Sequence, residues 1–153
     1  MMLCTINDFE KVHRILSHES VYPYIIDDYC PEKPNDNFGM EFLNNQQIKV
    51  LMPNGHCAFI LIPMTTSIYT VHSNVLPEGR GKEAVSAGKS VAKWMFNNTE
   101  CVSIISFTPV YNKVALMFSS LVGMKRIGTV ERSFKKDNVF HDQIITCLNK
   151  GEI

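Results

Sequence analysis

Two β-rich runs joined by a glycine loop and one helical stretch constrain this chain more than any other feature. Ser67 to Val75 is rich in β-branched and aromatic residues, and Leu76-Pro77-Glu78-Gly79-Arg80-Gly81 follows it as a turn. From Lys82 to Asn97 small and apolar residues recur at helical spacing, at Ala84, Ala87, Gly88, Val91 and Met95. Val102 to Phe107 is then an apolar run suited to a buried parallel strand, which Pro109 is expected to stop. A strand, a helix and a strand in this order cross over right-handed, so the two strands lie parallel and adjacent with the helix on one face. Ligands in such sheets bind at the carboxyl ends of the strands, where the topology changes.

The flanking segments extend this unit in both directions. Asn7-Asp8 before Phe9, Val12, Ile15 and Leu16 predicts an N-capped amphipathic helix, and a second short helix is expected over Val21 to Tyr29. Pro31, Pro34 and the Asn/Asp cluster up to Gly39 read as a loop. Ile48 to Met52 and Cys57 to Ile62 form a hairpin around Pro53-Asn54-Gly55. Asn112 opens another helix, with Ala115, Phe118, Leu121 and Val122 inward and Gly123 ending it. A last hairpin, Arg126 to Phe134 and Val139 to Leu148, turns through Lys135-Lys136-Asp137-Asn138. No repeat or linker interrupts the series, and a chain of 153 residues suits one domain over 1–153.

Composition narrows the function. Fifteen Lys and Arg balance fifteen Asp and Glu, so no net positive field draws the chain to nucleic acid or to an anionic membrane. No segment approaches the ~20 apolar residues of a membrane helix, and Met1 to Glu10 lacks the pattern of a secretory leader. Five scattered cysteines without a CxxC pair read as reduced thiols, which implies a cytoplasmic setting. The five histidines have no ligand partner at metal-binding spacing, so no metal site is expected. Trp94, Met95 and Phe96 read as core.

Three pieces of sequence then resemble one family. Val71-His72-Ser73-Asn74-Val75-Leu76-Pro77-Glu78-Gly79-Arg80-Gly81-Lys82 is similar to the strand and loop "V-h-p-e-x-R-G-k-G" of GCN5-related N-acetyltransferases. Asn112-Lys113-Val114-Ala115 with Gly123-Met124 is similar to "N-x-x-A … G-F", and Gly128-Thr129-Val130-Glu131-Arg132 leading to Asp142 to "e-G … r … D". The likeness covers about the second half of the chain and looks closest to the phage-encoded branch. It implies an α/β (α+β) acyl-CoA N-acyltransferase fold, a mixed sheet of six to seven strands flanked by helices. It further implies acetyl-CoA as co-substrate and direct transfer of acetyl to a primary amine of unknown identity, small molecule or protein. It implies no nucleic acid or membrane partner, allows a homodimer, and places a phage-encoded copy in the host cytoplasm or the virion.

The resemblance also assigns roles to positions. A loop running into a helix start offers free amides and a partial positive charge to a pyrophosphate. The matching positions are Arg80, Gly81, Lys82, Glu83 and Ala84, joined by Ser73 and Val75 on the strand and Asn112 at the next helix. Glu83 and Val85 stand where the family has glycines, opposing a pyrophosphate by charge and by bulk. The alternative reading of Gly79-Arg80-Gly81 is a tight turn with solvated charges. For the chemistry, a base must take the amine proton and a donor must assist the departing thiolate. Ser119 stands where the family often has the tyrosine that protonates the thiolate, and can equally be a small residue at a helix–sheet contact. His72 is the candidate base, because its ordinary pKa is near neutral, with Glu78 and Glu83 as alternatives. Tyr111 and Thr108 are expected at the mouth of an acceptor pocket, and Asp142 as a fold-fixing residue. Glu83, Val85 and Ser119 also suit a different class, a non-catalytic structural or assembly protein of a phage that has kept the fold.

Overall fold

The computed structural model describes all residues from Met1 to Ile153. Its strands are β1 (Met2–Leu3), β2 (Lys49–Asn54), β3 (Cys57–Pro63), β4 (Ile68–Val75), β5 (Ser103–Pro109), β6 (Lys125–Lys136) and β7 (Val139–Asn149). Its helices are α1 (Phe9–Leu16), α2 (Tyr22–Ile25), α3 (Met40–Asn44), α4 (Lys82–Asn98) and α5 (Lys113–Val122). The strands form one seven-stranded sheet in the order β1-β2-β3-β4-β5-β7-β6. Every neighbouring pair is antiparallel except β4 and β5, which are parallel. The chain therefore has the mixed sheet flanked by helices, and the strand–helix–strand unit, that its pattern implies.

Side-chain alternation splits the core between the two faces of the sheet. Phe59, Leu61, Tyr69 and Ile104 face α4, where Ala87, Val91 and Met95 close the larger core. Ala58 and Ile60, one residue out of step, face α1 and pack with Val12, Ile15 and Leu16. Small residues on α4 let α5 come close. A Cβ on Gly88 would lie 2.8 Å from Val122 Cγ2 and 3.0 Å from Phe118 Cζ.

Several boundaries differ from the sequence expectation for identifiable reasons. The first helix is reached through a 3-10 turn, Ile6–Asp8, and Asp8 Oδ2 accepts from the Thr5 backbone amide at 3.0 Å, so Thr5 and Asp8 share the capping. The second helix is only Tyr22–Ile25, because Asp27 and Asp28 take backbone amides of turns instead of continuing it. The two-residue β1 and the five-residue α3 are too short to show a period. The hairpin turns at Gly55-His56, since Asn54 pairs with Cys57. Pro53 stays in β2, beside a register shift where its missing N–H is tolerated. Pro109 is the last residue of β5, opposite Gln143, instead of lying beyond it. Leu121, expected inward, is 54% exposed, while Val122 is buried beside Gly88.

Met95→Ala and Leu121→Ala test this packing. Met95 is fully buried, so its truncation should cost about 2–5 kcal/mol. Leu121→Ala should cost less than about 0.5 kcal/mol. Thermal or denaturant unfolding reads both.

Candidate active site

The parallel pair β4 and β5 separates after a short contact. Pairing runs over Ile68↔Ser103, Tyr69↔Ile104 and Thr70↔Ile105 and stops there, although β4 continues to Val75 and β5 to Pro109. The two strands thus splay toward their carboxyl ends, the end at which the topology predicts a ligand.

The orientation of the backbone along the splay follows from one bond. Leu76 N–H donates to His56 O at 2.9 Å, and in an antiparallel ladder such positions alternate. His72, Asn74 and Leu76 therefore turn their amides and carbonyls toward β3. Ser73 and Val75 turn theirs toward the gap, where β5 no longer pairs with them. An extended chain with its own amides and carbonyls fits such an edge as a strand would. Below the gap, between the sheet and α4 and α5, lies an apolar cavity of about 20 Å³ lined by Val71, Ser73, Gly88, Phe118 and others.

At the outer end of the gap, β4 enters α4 through a 3-10 turn, Pro77–Gly79, and Gly81 at φ +83°. The first bond of α4 is Val85 N to Gly81 O, and the amides of Gly81, Lys82, Glu83 and Ala84 donate to no group of the protein. Gly81 faces open space, and α4 runs seventeen residues behind these amides. That combination suits an anion. The side chain of Val85 packs into the main core and leaves the loop clear. Glu83 is exposed, and its charge helps burial push the Cys57 thiol up to about 11. The Arg80 guanidinium donates to Ser20 O at 3.0 Å, binding the loop to the segment after α1, while Lys82 is exposed. Gly79 is buried against the β2–β3 turn, where a Cβ would lie 2.6 Å from His56 Cβ.

His72 stands on the face of β4 that looks away from α4. Its side chain is solvent-exposed, yet crowding by protein holds its pKa below the ordinary imidazole range, which keeps the ring neutral at pH 7. Asn74 Nδ2 donates to His72 O and Ala58 O, at 3.2 and 3.0 Å, and pins the backbone there. Asn112 Oδ1 accepts from Ala115 N at 3.2 Å, so it caps α5 at the mouth of the splay. Ser119 is buried on α5, where its carbonyl accepts from Gly123 N at 3.2 Å. Thr108 is buried on the α4 face of β5, 3.4 Å from the Ser106 hydroxyl, and so lies on the side of the sheet opposite His72. Tyr111 stacks edge-on with His141 at 4.6 Å, and Asp142 Oδ1 accepts from Arg132 N at 2.8 Å, inside the bulge of β6.

A strap that the sequence did not announce joins the segment after α2 to the tip of the β6–β7 hairpin. Asp28 accepts from the Asp137 and Asn138 amides, both at 2.8 Å, and these two residues make the turn with positive φ. Those bonds, the Asn138 amide first, hold the Asp28 carboxyl below its ordinary pKa. Asp28 N donates to Lys135 O at 3.0 Å, and Lys136 Nζ donates to Pro23 O and Ile26 O at 2.9 and 3.2 Å. Partners more than a hundred residues apart left no local pattern to read. The only signal was an Asp-Asn turn facing a pair of aspartates.

Residues 47–149 match the profile of a family described as "Protein of unknown function (DUF2824)". The chain belongs to this family. No curated protein sequence matches it. Solved structures relate this DUF2824 member to known folds. It is similar to a spermidine N-acetyltransferase from Vibrio cholerae in complex with CoA and spermine, at 13% identity and TM-score 0.78, over 99% of this chain and 95% of that one. It is similar to a GNAT-family acetyltransferase from Bacillus anthracis at 19% identity and TM-score 0.73, over 97% and 92%. It is also similar to the ribosomal-protein-S5-alanine acetyltransferase from Vibrio fischeri, at 12% identity and TM-score 0.74, over 99% and 92%. The fold of this DUF2824 chain is that of the GNAT acetyltransferases.

Gly79→Ala should destabilise the protein by about 1–3 kcal/mol, because the clash is with a Cβ that has no freedom to swing aside. Asp28→Ala should release the hairpin tip: hydrogen exchange of the Asp137 and Asn138 amides should quicken at least about tenfold, with the exchange of α4 unchanged.

Proposed function

We propose that this protein is an N-acyltransferase that moves acetyl from acetyl-CoA directly to a primary amine. The observation that carries the reading is the splay, with the free backbone of Ser73 and Val75 on one side and the four free amides of Gly81–Ala84 at its outer end. Acetyl-CoA matches that order of groups, with a pantetheine arm bearing two amides and a pyrophosphate at one end. The open space at Gly81 and the inward turn of Val85 meet the requirement for close approach that the sequence left in question. Lys82 offsets the charge of Glu83, while Arg80 contributes its place in the loop rather than its guanidinium.

The acyl donor supplies an activated thioester. The amine nitrogen attacks its carbonyl carbon, an N–C bond forms, the C–S bond breaks, and the thiolate leaves. Neutral His72 takes the proton that the amine gives up. The Ser119 hydroxyl donates a hydrogen bond to the departing thiolate, and Asn112 orients the arm at the start of α5. Serine is too weak an acid to deliver a proton at neutral pH, so the thiolate leaves as the anion and is protonated by water. The catalytic unit is one domain over 1–153. The Val71 to Lys82 segment and the reduced-thiol composition support a phage-encoded protein acting in the host cytoplasm.

Calorimetric titration with acetyl-CoA tests the reading, with saturable one-site binding expected and no heat at millimolar ligand overturning it. That negative result would leave the fold to a structural role. In transfer assays, kcat/KM should fall on the acid side with a midpoint below the ordinary imidazole value of about 6.5, because crowding lowers the pKa of His72 and the base fails only once it is protonated. His72→Ala should remove that limb and cut kcat/KM by about 10²–10⁴, with acetyl-CoA affinity retained.

A further inference from the structure

The half of the sheet beyond α1 and α3 points to the kind of amine that this site takes. Thr70 pairs with Ile105, so the odd positions of β5 share the face of His72. Register carries that face across β7 and β6, through Ile105, Phe107, Ile145, Val130 and Phe134. On this side α1 contacts β3 and β4, α3 contacts β2, and α2 with the segment after it bonds the tip of the β6–β7 hairpin. Phe107 and Val130 each remain 40% exposed, and the other three are half-buried. Gly128, opposite Ile145, has no side chain on this face and leaves a recess there. The result is a largely apolar trough, interrupted by Gln143 opposite Val130, that begins at the edge of the reaction site and ends at the Tyr111–His141 and Tyr111–Phe134 contacts.

The charges decide what the trough can hold. Among the paired positions that register assigns to this face, Lys125 and Lys136 carry a fixed charge: Lys125 is paired with Glu152 at 2.7 Å, and Lys136 donates to Pro23 O and Ile26 O. Asp142 belongs to the opposite face by alternation and accepts the Arg132 amide. Beside the sheet, Asp27 accepts from Tyr29 N and Asp28 holds the hairpin turn, while Glu32 is exposed to water. Glu131 sits in the bulge of the outer strand, exposed to water. A polycation needs free carboxylates along its length, and the paired strand positions of this face include no Asp or Glu.

We propose that the acceptor is a small primary amine bearing an apolar, ring-sized group, which lies against Phe107 and Val130 with its nitrogen toward His72. This rests on the acyl-transfer reading above, and the test separates the two. Release of free thiol from acetyl-CoA is followed with 2-phenylethylamine or spermidine as acceptor. The wild-type kcat/KM for 2-phenylethylamine should exceed that for spermidine by about tenfold or more. Phe107→Asp and Val130→Asp, both at exposed positions, should each lower it by about tenfold and leave the acetyl-CoA Kd and the melting temperature unchanged. A preference for spermidine, no turnover of 2-phenylethylamine by protein that binds acetyl-CoA, or undiminished activity in both variants overturns the proposal while the acyl-transfer reading stands. Failure of the wild-type protein to bind acetyl-CoA overturns both.

Discussion

The separation of β4 from β5 governs the rest of this structure. A parallel pair that stays closed satisfies its backbone along its whole length. This one stops at Thr70↔Ile105 and leaves the inner edge of β4 open from Ser73 to Val75. Buried or half-buried amides and carbonyls without partners cost free energy, so such an edge persists only because packing on both sides holds the strands apart. On one side Tyr69, Val71 and Val75 tie β4 into the larger core that Val91 and Met95 of α4 complete. On the other, β5 is tied over its full length to β7, from Ser103↔Asn149 to Pro109↔Gln143. The gap is thus fixed from outside rather than by its own contacts.

Three devices converge on that gap. The glycine turn sets α4 so that its free amides face the outer end, and Gly79 against His56 fixes how far the turn reaches. The capped start of α5 places Asn112 at the mouth and Ser119 beneath it. The strap from Asp28 and Lys136 holds the hairpin tip to the segment after α2 and so fixes one wall beside the half-sheet of Phe107 and Val130. On the proposed acyl-transfer function, donor and acceptor approach from different faces of the same splay and meet near His72.

The larger part of the fold was legible because its signals are local. The alternation of Cys57 to Ile62, the helical spacing of Ala84 to Met95 and the apolar run of Val102 to Phe107 each report their own element. The right-handed crossover then fixes β4 beside β5 without further information. Short elements escaped, as α3 did, because five residues complete little more than one turn. Within the site, the glycine loop and the Asn112 cap could be read from type and spacing. The direction of Val85 and the partner of Arg80 could not, since both depend on what the tertiary structure brings opposite them. The strap and the Phe107–Val130 trough are likewise products of register between distant strands.

The account stands on the free edge of β4 taking up an extended ligand as if it were a strand. Amide hydrogen exchange at Ser73 and Val75, measured by NMR with and without saturating acetyl-CoA, tests this directly. Both amides should exchange readily in the free protein and slow by at least about tenfold on binding, while the β3–β4 ladder stays as it was. Exchange at these two positions that ignores a bound acetyl-CoA would contradict the account.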